Sequence, residues 1–273
     1  MSVRKLLLRS SVIAALGGAA TAAMPYIDLI EPSRGPEIAM VVLTPDPAPQ
    51  PVADIARSAW GLPCGLSVTA APLPGAMVAL DVMDPCRPDA RVEITHMDLR
   101  LSARTDAMGL LTLDIPALES PARFAIQLDT GAVATVDTDL PDLSAYTRAA
   151  IVWTGPHAIT LHGEVGDTPA MIAGSAMETG IFLIRLGDAT LDAPHLAQVL
   201  TTPVALEEDL LVSAEIAVNA TSCGQRVGAE GLHSRGGGPV QVTEIALTLP
   251  GCEAAGEFLM LQNLFQPPRL PAN

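Results

Sequence analysis

The sequence predicts an all-β protein with two β-sandwich-like domains, which follow an N-terminal signal segment and a proline-rich linker. Three observations predict this fold class: short segments of alternating apolar and polar residues, turn residues at regular spacing between them, and two widely separated pairs of cysteines. The 273 residues suffice for two domains of ordinary size, and a hydrophobic fraction of 49% can build their cores.

Residues 1–23 have the three parts of a secretory signal. Arg4, Lys5 and Arg9 make the start positive, residues 10–19 are short and apolar, and small residues at 20–23 suit cleavage. We expect cleavage; the alternatives are retention as a membrane anchor and a cytoplasmic chain with an unusual N-terminal helix. The prediction is a periplasmic or secreted protein with no membrane span in the mature chain.

The rest of the chain divides by composition. Residues 24–62 carry repeated prolines between 45 and 51, which predicts an extended linker. A first β-sandwich domain is predicted at 63–142 and a second β domain at 143–266, separated near Pro141. Residues 267–273 form a predicted disordered tail.

Each predicted strand is a short run in which apolar residues share one face. In the first domain these runs lie at 77–82, 91–96, 111–115 and 124–128. In the second they lie at 148–153, 157–162, 180–186, 212–218, 245–249 and 258–264. Residues 165–179 are predicted to form a loop or one short helix, and residues 194–200 a helical turn.

The four cysteines are Cys64, Cys86, Cys223 and Cys252. Four cysteines allow three pairings. Two lie early and two late, so the economical pairing joins Cys64 to Cys86 and Cys223 to Cys252, one bridge per domain. Export to an oxidising compartment favours disulfides, and no C-x-x-C spacing supports a metal site.

Composition and motifs exclude several function classes. The net charge is −15 and aromatic residues are 3% of the chain, which argues against a nucleic-acid partner. The chain has no Walker A motif and no G-x-S-x-G motif, and we expect no catalytic residues of a recognisable type and no cofactor.

Two sets of residues are weak candidates for a metal site. His162 and Glu164 share one face of a predicted strand. Four carboxylates are expected to crowd one end of the first domain, where they could bind calcium, although they lack EF-hand spacing and acidic turns are ordinary. These four are Asp129, Asp137, Asp139 and Asp142. His96 shares a face with Val92 and Ile94, which predicts a buried, hydrogen-bonded histidine.

The run Thr-Asp-Ala-Met-Gly-Leu-Leu-Thr-Leu-Asp-Ile-Pro at 105–116 predicts a turn followed by a strand. Asp106 can cap the turn, and Gly109 can take the positive φ that it requires. Within residues 73–128 this run resembles the signature of transthyretin-like and carboxypeptidase-regulatory-like β-sandwiches. That resemblance implies an accessory or binding domain without catalysis.

A second resemblance covers the whole mature chain. It rests on the two cysteine pairs, residues 146–148 and 153–155, the Leu-His-Gly-Glu run at 161–164 and the Phe-Leu-Ile-Arg-Leu-Gly-Asp run at 182–188. These are similar to a group of exported alphaproteobacterial proteins, some of which are labelled "translocase". The chain departs from the group at 165–175, where a stretch containing glycine and histidine is not reproduced. Without a Walker A motif, an ATP-driven motor is not supported.

The function predicted from these observations is that of a non-enzymatic envelope protein, which binds a partner protein through its β surfaces or sheet edges. The alternative is a periplasmic protein that binds a small ligand or calcium. An enzyme of unknown type is a third hypothesis. It would require a pocket that brings His, Asp or Glu, and Ser or Thr within hydrogen-bond reach.

Overall fold

A computed structural model describes residues 56–166, 168–169, 171–172 and 180–265. The predicted signal segment, most of the predicted linker and the predicted tail lie outside these residues. Within them the chain is mostly strand, with short 3-10 helices at Pro141–Ala145, Val204–Asp209 and Cys252–Ala254, so the all-β prediction is confirmed. None of the helices in this described part has the length and apolarity needed to cross a membrane.

Seven strands form a first sandwich of two antiparallel sheets, ordered β1–β2–β5 and β4–β3–β6–β7. The order is that of an immunoglobulin-like sandwich in which the fourth strand joins the sheet of the third, sixth and seventh. The strands are β1 (Ser67–Leu73), β2 (Met77–Met83), β3 (Arg91–His96), β4 (Leu99–Arg104), β5 (Leu110–Pro116), β6 (Ala122–Leu128) and β7 (Val133–Thr138).

The turn between β4 and β5 is stabilised by the two residues that the sequence predicts. The Asp106 carboxylate accepts hydrogen bonds from the backbone N–H of Met108 at 2.7 Å and of Leu110 at 2.9 Å. Gly109 has φ of 78°, and a Cβ there would collide with the carbonyl oxygen of Asp84. The predicted cap and glycine are confirmed, because only glycine fits both the conformation and the space.

The remaining strands form a sheet ordered β11–β12–β13–β8–β15–β16 and a second ordered β10–β9–β14–β17. All pairs are antiparallel except β11 with β12. The strands are β8 (Tyr146–Thr154), β9 (Ile159–Val165), β10 (Thr168–Pro169), β11 (Met171–Ile172), β12 (Phe182–Leu186), β13 (His195–Pro203), β14 (Leu210–Ala217), β15 (Arg226–Arg235), β16 (Gln241–Thr248) and β17 (Phe258–Leu261).

The six-stranded sheet is buried on both faces along β8 and β13. Ala150 and Val152 belong to a first apolar cluster that also contains the core of the first sandwich. Ile151 and Trp153 belong to a second cluster, which lies between this sheet and the sheet that contains β9 and β14. A strand that is buried on both faces is nearly continuously apolar and lacks the alternation that identifies a strand. For this reason a helical turn was predicted at 194–200, where the structure has strand β13.

The predicted division into two domains near Pro141 is not confirmed. The first apolar cluster crosses this point without a break, since it includes Leu128 before it and Ala150, Val199 and Leu232 after it. All the described residues belong to one compact unit. The two sandwiches are therefore two layers of structure that share a core.

Arg148 of β8 joins the two sandwiches from inside this core, where its side chain is 1% exposed. It donates hydrogen bonds to the carbonyls of Gly75 at 2.6 Å, Ala76 at 2.9 Å and Ala117 at 3.2 Å, and to the hydroxyl of Thr201. No ion pair within the described residues involves it. Burial lowers the pKa of Arg148 to about 9, so the guanidinium stays charged at neutral pH, held by neutral acceptors.

His96 lies at the end of β3 in the first sandwich and is buried, as predicted. Its Nε2 accepts the backbone N–H of Leu118 at 2.8 Å, so the neutral ring donates its Nδ1–H to the carbonyl of Arg123 at 2.9 Å. The ring stacks on Phe124 with centroids 4.6 Å apart. Desolvation by burial lowers the pKa of His96, because a proton on Nε2 would be buried and would displace the Leu118 N–H.

We therefore expect stability to decrease as the pH falls below the ordinary histidine pKa of about 6.5. Above that pH, His96 is neutral in both states. Below it, the unfolded chain takes up a proton that the folded chain resists, so the free energy of unfolding falls. His233 acts in the same direction, because burial also lowers its pKa.

Urea unfolding at pH 7.5 and pH 5.5 checks this prediction. The variant His96→Asn, which can still donate and accept, should lose less stability between the two pH values than the wild type. His162→Asn, at an exposed position, is the matched control and should behave as the wild type does. An equal pH effect in all three proteins would contradict the role of His96.

Both predicted disulfides are present. Cys64 and Cys86 are joined with their Cα atoms 5.3 Å apart, and Cys223 and Cys252 with theirs 4.9 Å apart. No cysteine is left free. Disulfides persist in oxidising compartments, so the two bridges indicate a non-cytoplasmic location.

Candidate functional site

The structure separates the four predicted calcium-binding carboxylates. Asp129 lies in the turn before β7, whereas Asp139 and Asp142 follow the end of that strand. A strand of six residues spans roughly 20 Å at about 3.4 Å per residue. Asp137 lies on β7 opposite Arg123 of β6. Asp129 therefore lies at the opposite end of β7 from Asp137, Asp139 and Asp142.

His162 and Glu164 lie on β9 and are both exposed, on one face as predicted. His162 Nε2 lies 3.5 Å from a carboxylate oxygen of Glu215 on the neighbouring strand β14. This contact gives the histidine a protein partner. Across the described residues, no three His, Cys, Asp or Glu side chains come together to hold a metal ion.

The feature of the second sandwich that is open to a partner is strand β16, at the edge of the six-stranded sheet. At eight residues it is the longest edge strand among those described, and residues 241–244 are all exposed. Its pairing with β15 runs without a bulge from His233–Gln241 to Arg226–Thr248. It contains no proline and no lysine, and Val242 is 49% exposed, so Glu244 is the only charged residue that protects this edge strand.

Other sheet edges in the described part are shorter or protected. Strand β4 lies against β13, and β7 lies beside β1. The free edge of β9 is capped by the buried side chain of Gln198, which accepts from the N–H of Leu161 and donates to the carbonyl of Ile159, both at 2.8 Å. Strand β5 ends in Pro116 and β17 has four residues. Strand β16 is thus the best template for an added strand.

A groove of about 230 Å³ begins at β16 and crosses this end of the six-stranded sheet. It lies on the face of the sheet that is turned toward the first sandwich. Its lining includes Arg100 of β4, Thr154 of β8, His195 of β13, Gly228 and Glu230 of β15, and Glu244 of β16. The first sandwich covers the centre of the sheet and leaves this end uncovered. A Cβ on Gly228 would meet no heavy atom within 4 Å, so the missing side chain keeps the floor of the groove open.

Two carboxylates dominate the electrostatics of the groove. Glu230 and Glu244 are directly opposite each other on β15 and β16. Like charges in this position destabilise a sheet. The ion pairs found within the described residues involve neither of them. Arg100 supplies one positive charge to the same lining, so the groove remains net negative.

The groove also holds a hydrogen bond between a hydroxyl and a histidine. Thr154 Oγ1 lies 2.9 Å from His195 Nδ1, which is within the range for a nucleophile and its base. Among the described residues, no hydrogen bond or ion pair links a carboxylate to the ring of His195. Within the part of the chain that the structure describes, the pair therefore has no carboxylate to orient the histidine as a base.

Sequence reasoning did not find this site. Strand β15 was not predicted, and β16 was predicted only from Ile245 onward, because its first four residues are polar or exposed. The signal that could have found it is the Gln-Val-Thr-Glu-Ile-Ala-Leu-Thr run, in which four of the eight residues are β-branched. Nothing in that run says that the strand lies at an edge.

Comparison of the chain with protein-family models and with curated proteins found no match.

Proposed function

We propose that this is an exported, non-enzymatic protein of the cell envelope, periplasmic or secreted, which binds a partner protein by accepting a strand of it at β16. The two disulfides support an oxidising location. The observation that carries the proposal is the open edge of β16. Backbone hydrogen bonds to such an edge give affinity, and the side chains beside it give specificity.

The groove favours this function over a small-ligand carrier. Its volume of about 230 Å³ is below the roughly 300–1,000 Å³ of ordinary small-molecule sites. It is an open groove that begins at β16 and crosses the sheet toward β8 and β13, so side chains of an added strand can enter it from the edge. Asp129 lies at the other end of β7 from the other three aspartates, and among the described residues no three carboxylate, histidine or cysteine side chains come together. A calcium site is therefore the less favoured proposal.

Site-specific photo-crosslinking in the producing cells tests the proposal. We expect a crosslinker at Val242, on β16, to capture one defined partner. The control is Val133 on β7, which is also an exposed valine, at 64%. Because the partner lies along β16, the control should give no such product.

Proline variants test whether the backbone edge makes the contact. Successive N–H groups of a strand alternate between its two sides, and Thr243 and Ala246 differ in parity. One of Thr243→Pro and Ala246→Pro therefore removes an outward donor without breaking a bond to β15. The variant that keeps the wild-type unfolding midpoint should lose the crosslink at Val242. A crosslink that survives in that variant would refute strand addition.

A further inference from the structure

We propose that the strand added to β16 carries a lysine or arginine opposite Glu244, where its charge is held between Glu244 and Glu230. This inference rests on the strand addition proposed above and names the chemistry of the partner. It follows from the register of β15 and β16, the exposure of β16 and the charge of the chain.

The register places two carboxylates side by side that form no ion pair with any described residue, and Arg100 is the one positively charged side chain in the groove lining. Glu230 lies opposite Glu244 on β16 and opposite Val152 on β8, so all three side chains are on the groove face. Directly opposed carboxylates repel each other across the roughly 5 Å between their Cβ atoms. A positive charge placed beside them would change this repulsion into attraction.

An added strand places a side chain where that charge is needed. Strands in a sheet are about 4.8 Å apart, so the new strand lies one spacing from β16 and two from β15. The residue opposite Glu244 projects from the same face, into direct contact with the Glu244 carboxylate. A lysine or arginine side chain is long enough to lean along the groove toward Glu230, which is half-buried.

Charge also decides between a foreign strand and a second copy of this chain. Antiparallel pairing of β16 with itself, in the registers that keep most of the strand paired, puts the two Glu244 side chains opposite or diagonal to each other. With both Glu230 residues nearby, four carboxylates would then share one face. The net charge of −15 opposes self-association further and attracts a basic partner.

Three fluorescein-labelled synthetic peptides of alternating Thr and Val test the inference with the full mature protein. They differ only at one central position on the groove face, which is lysine, norleucine or glutamate. Fluorescence anisotropy at low salt measures their binding. We expect the lysine peptide to bind about tenfold more tightly than the norleucine peptide, and the glutamate peptide to bind most weakly.

Matched variants locate the effect. Glu244→Gln and Glu230→Gln should each reduce the ratio of lysine-peptide affinity to norleucine-peptide affinity severalfold. Glu164→Gln removes an exposed carboxylate from β9 in the other sheet and should leave all three affinities unchanged. Rising salt should weaken the lysine peptide alone.

The peptides separate failure of this inference from failure of the proposed function. Equal binding of all three would overturn the basic-partner inference and would still support strand addition. No binding of any peptide would count against strand addition itself. A dimer of the protein that is dissociated by whichever of Thr243→Pro and Ala246→Pro keeps the wild-type unfolding midpoint would show that the occupant is a second copy.

Discussion

Replacing Arg148 by methionine is expected to lower the free energy of unfolding by about 3–5 kcal/mol. The guanidinium donates to three carbonyls and one hydroxyl inside the core, and methionine fills a similar volume without any donor. The Ala117 carbonyl and the Thr201 hydroxyl would lose a buried donor, whereas the Ala76 carbonyl would keep the backbone N–H of Ala117. Each charge-assisted hydrogen bond lost contributes about 1.5–3 kcal/mol. Relief of the buried charge offsets part of the loss.

Urea denaturation followed by circular dichroism measures this effect. Arg226→Met, at an exposed position of β15, is the matched control and should change stability by less than about 0.5 kcal/mol. Arg148→Lys should lose less stability than Arg148→Met and more than Arg226→Met, since an ammonium has three donors but lacks the planar geometry of a guanidinium. A stability of Arg148→Met equal to that of the wild type would mean that desolvation of the charge cancels its hydrogen bonds.

Removing either disulfide is expected to cost about 3 kcal/mol, because each bridge closes a loop of 22 or 29 residues in the unfolded chain. The paired substitutions Cys64→Ala with Cys86→Ala, and Cys223→Ala with Cys252→Ala, test the bridges one at a time. Reduction of both should leave little of the ordinary stability of a domain of this size.

The measurement is the urea midpoint of each double variant, compared with the wild type under oxidising and reducing conditions. Reductant should lower the urea midpoint of the wild type toward those of the double variants. It should leave unchanged the midpoint of a variant in which all four cysteines are replaced by alanine. If one bridge contributes much less than the other, the loop that it closes retains structure in the unfolded state.

The sequence predicts well those strands that are buried on one face only. Phe124, Ile126 and Leu128 alternate with exposed residues on β6, and such alternation has no helical equivalent. The turn at Asp106 and Gly109 is equally readable, because cap and glycine act over a few residues. The cysteine pairing is readable as well, since the two pairs lie far apart in the chain.

Strands buried on both faces, and strands at edges, are harder to predict. Leu196 to Leu200 on β13 is a short apolar run without alternation, and periodicity alone cannot tell such a run from a helical turn. Its second apolar face is required only because the first sandwich covers it. The same contact makes Arg148 a buried residue, although arginine in isolation predicts an exposed position.

The sequence by itself determined the all-β class, the turns and the pairing of the cysteines. The class and the turns depend on neighbours along the chain, and the pairing follows from two cysteines lying early and two late in the sequence. Only the tertiary structure decided that one apolar cluster is continuous between the two sandwiches, that Asp129 lies at the other end of β7 from the other three aspartates, and that β16 is left at an open edge beside a negative groove. These features depend on which strands become neighbours in space. Residues far apart in the chain, such as Arg100 and Glu244, meet there through contacts that local pattern does not encode.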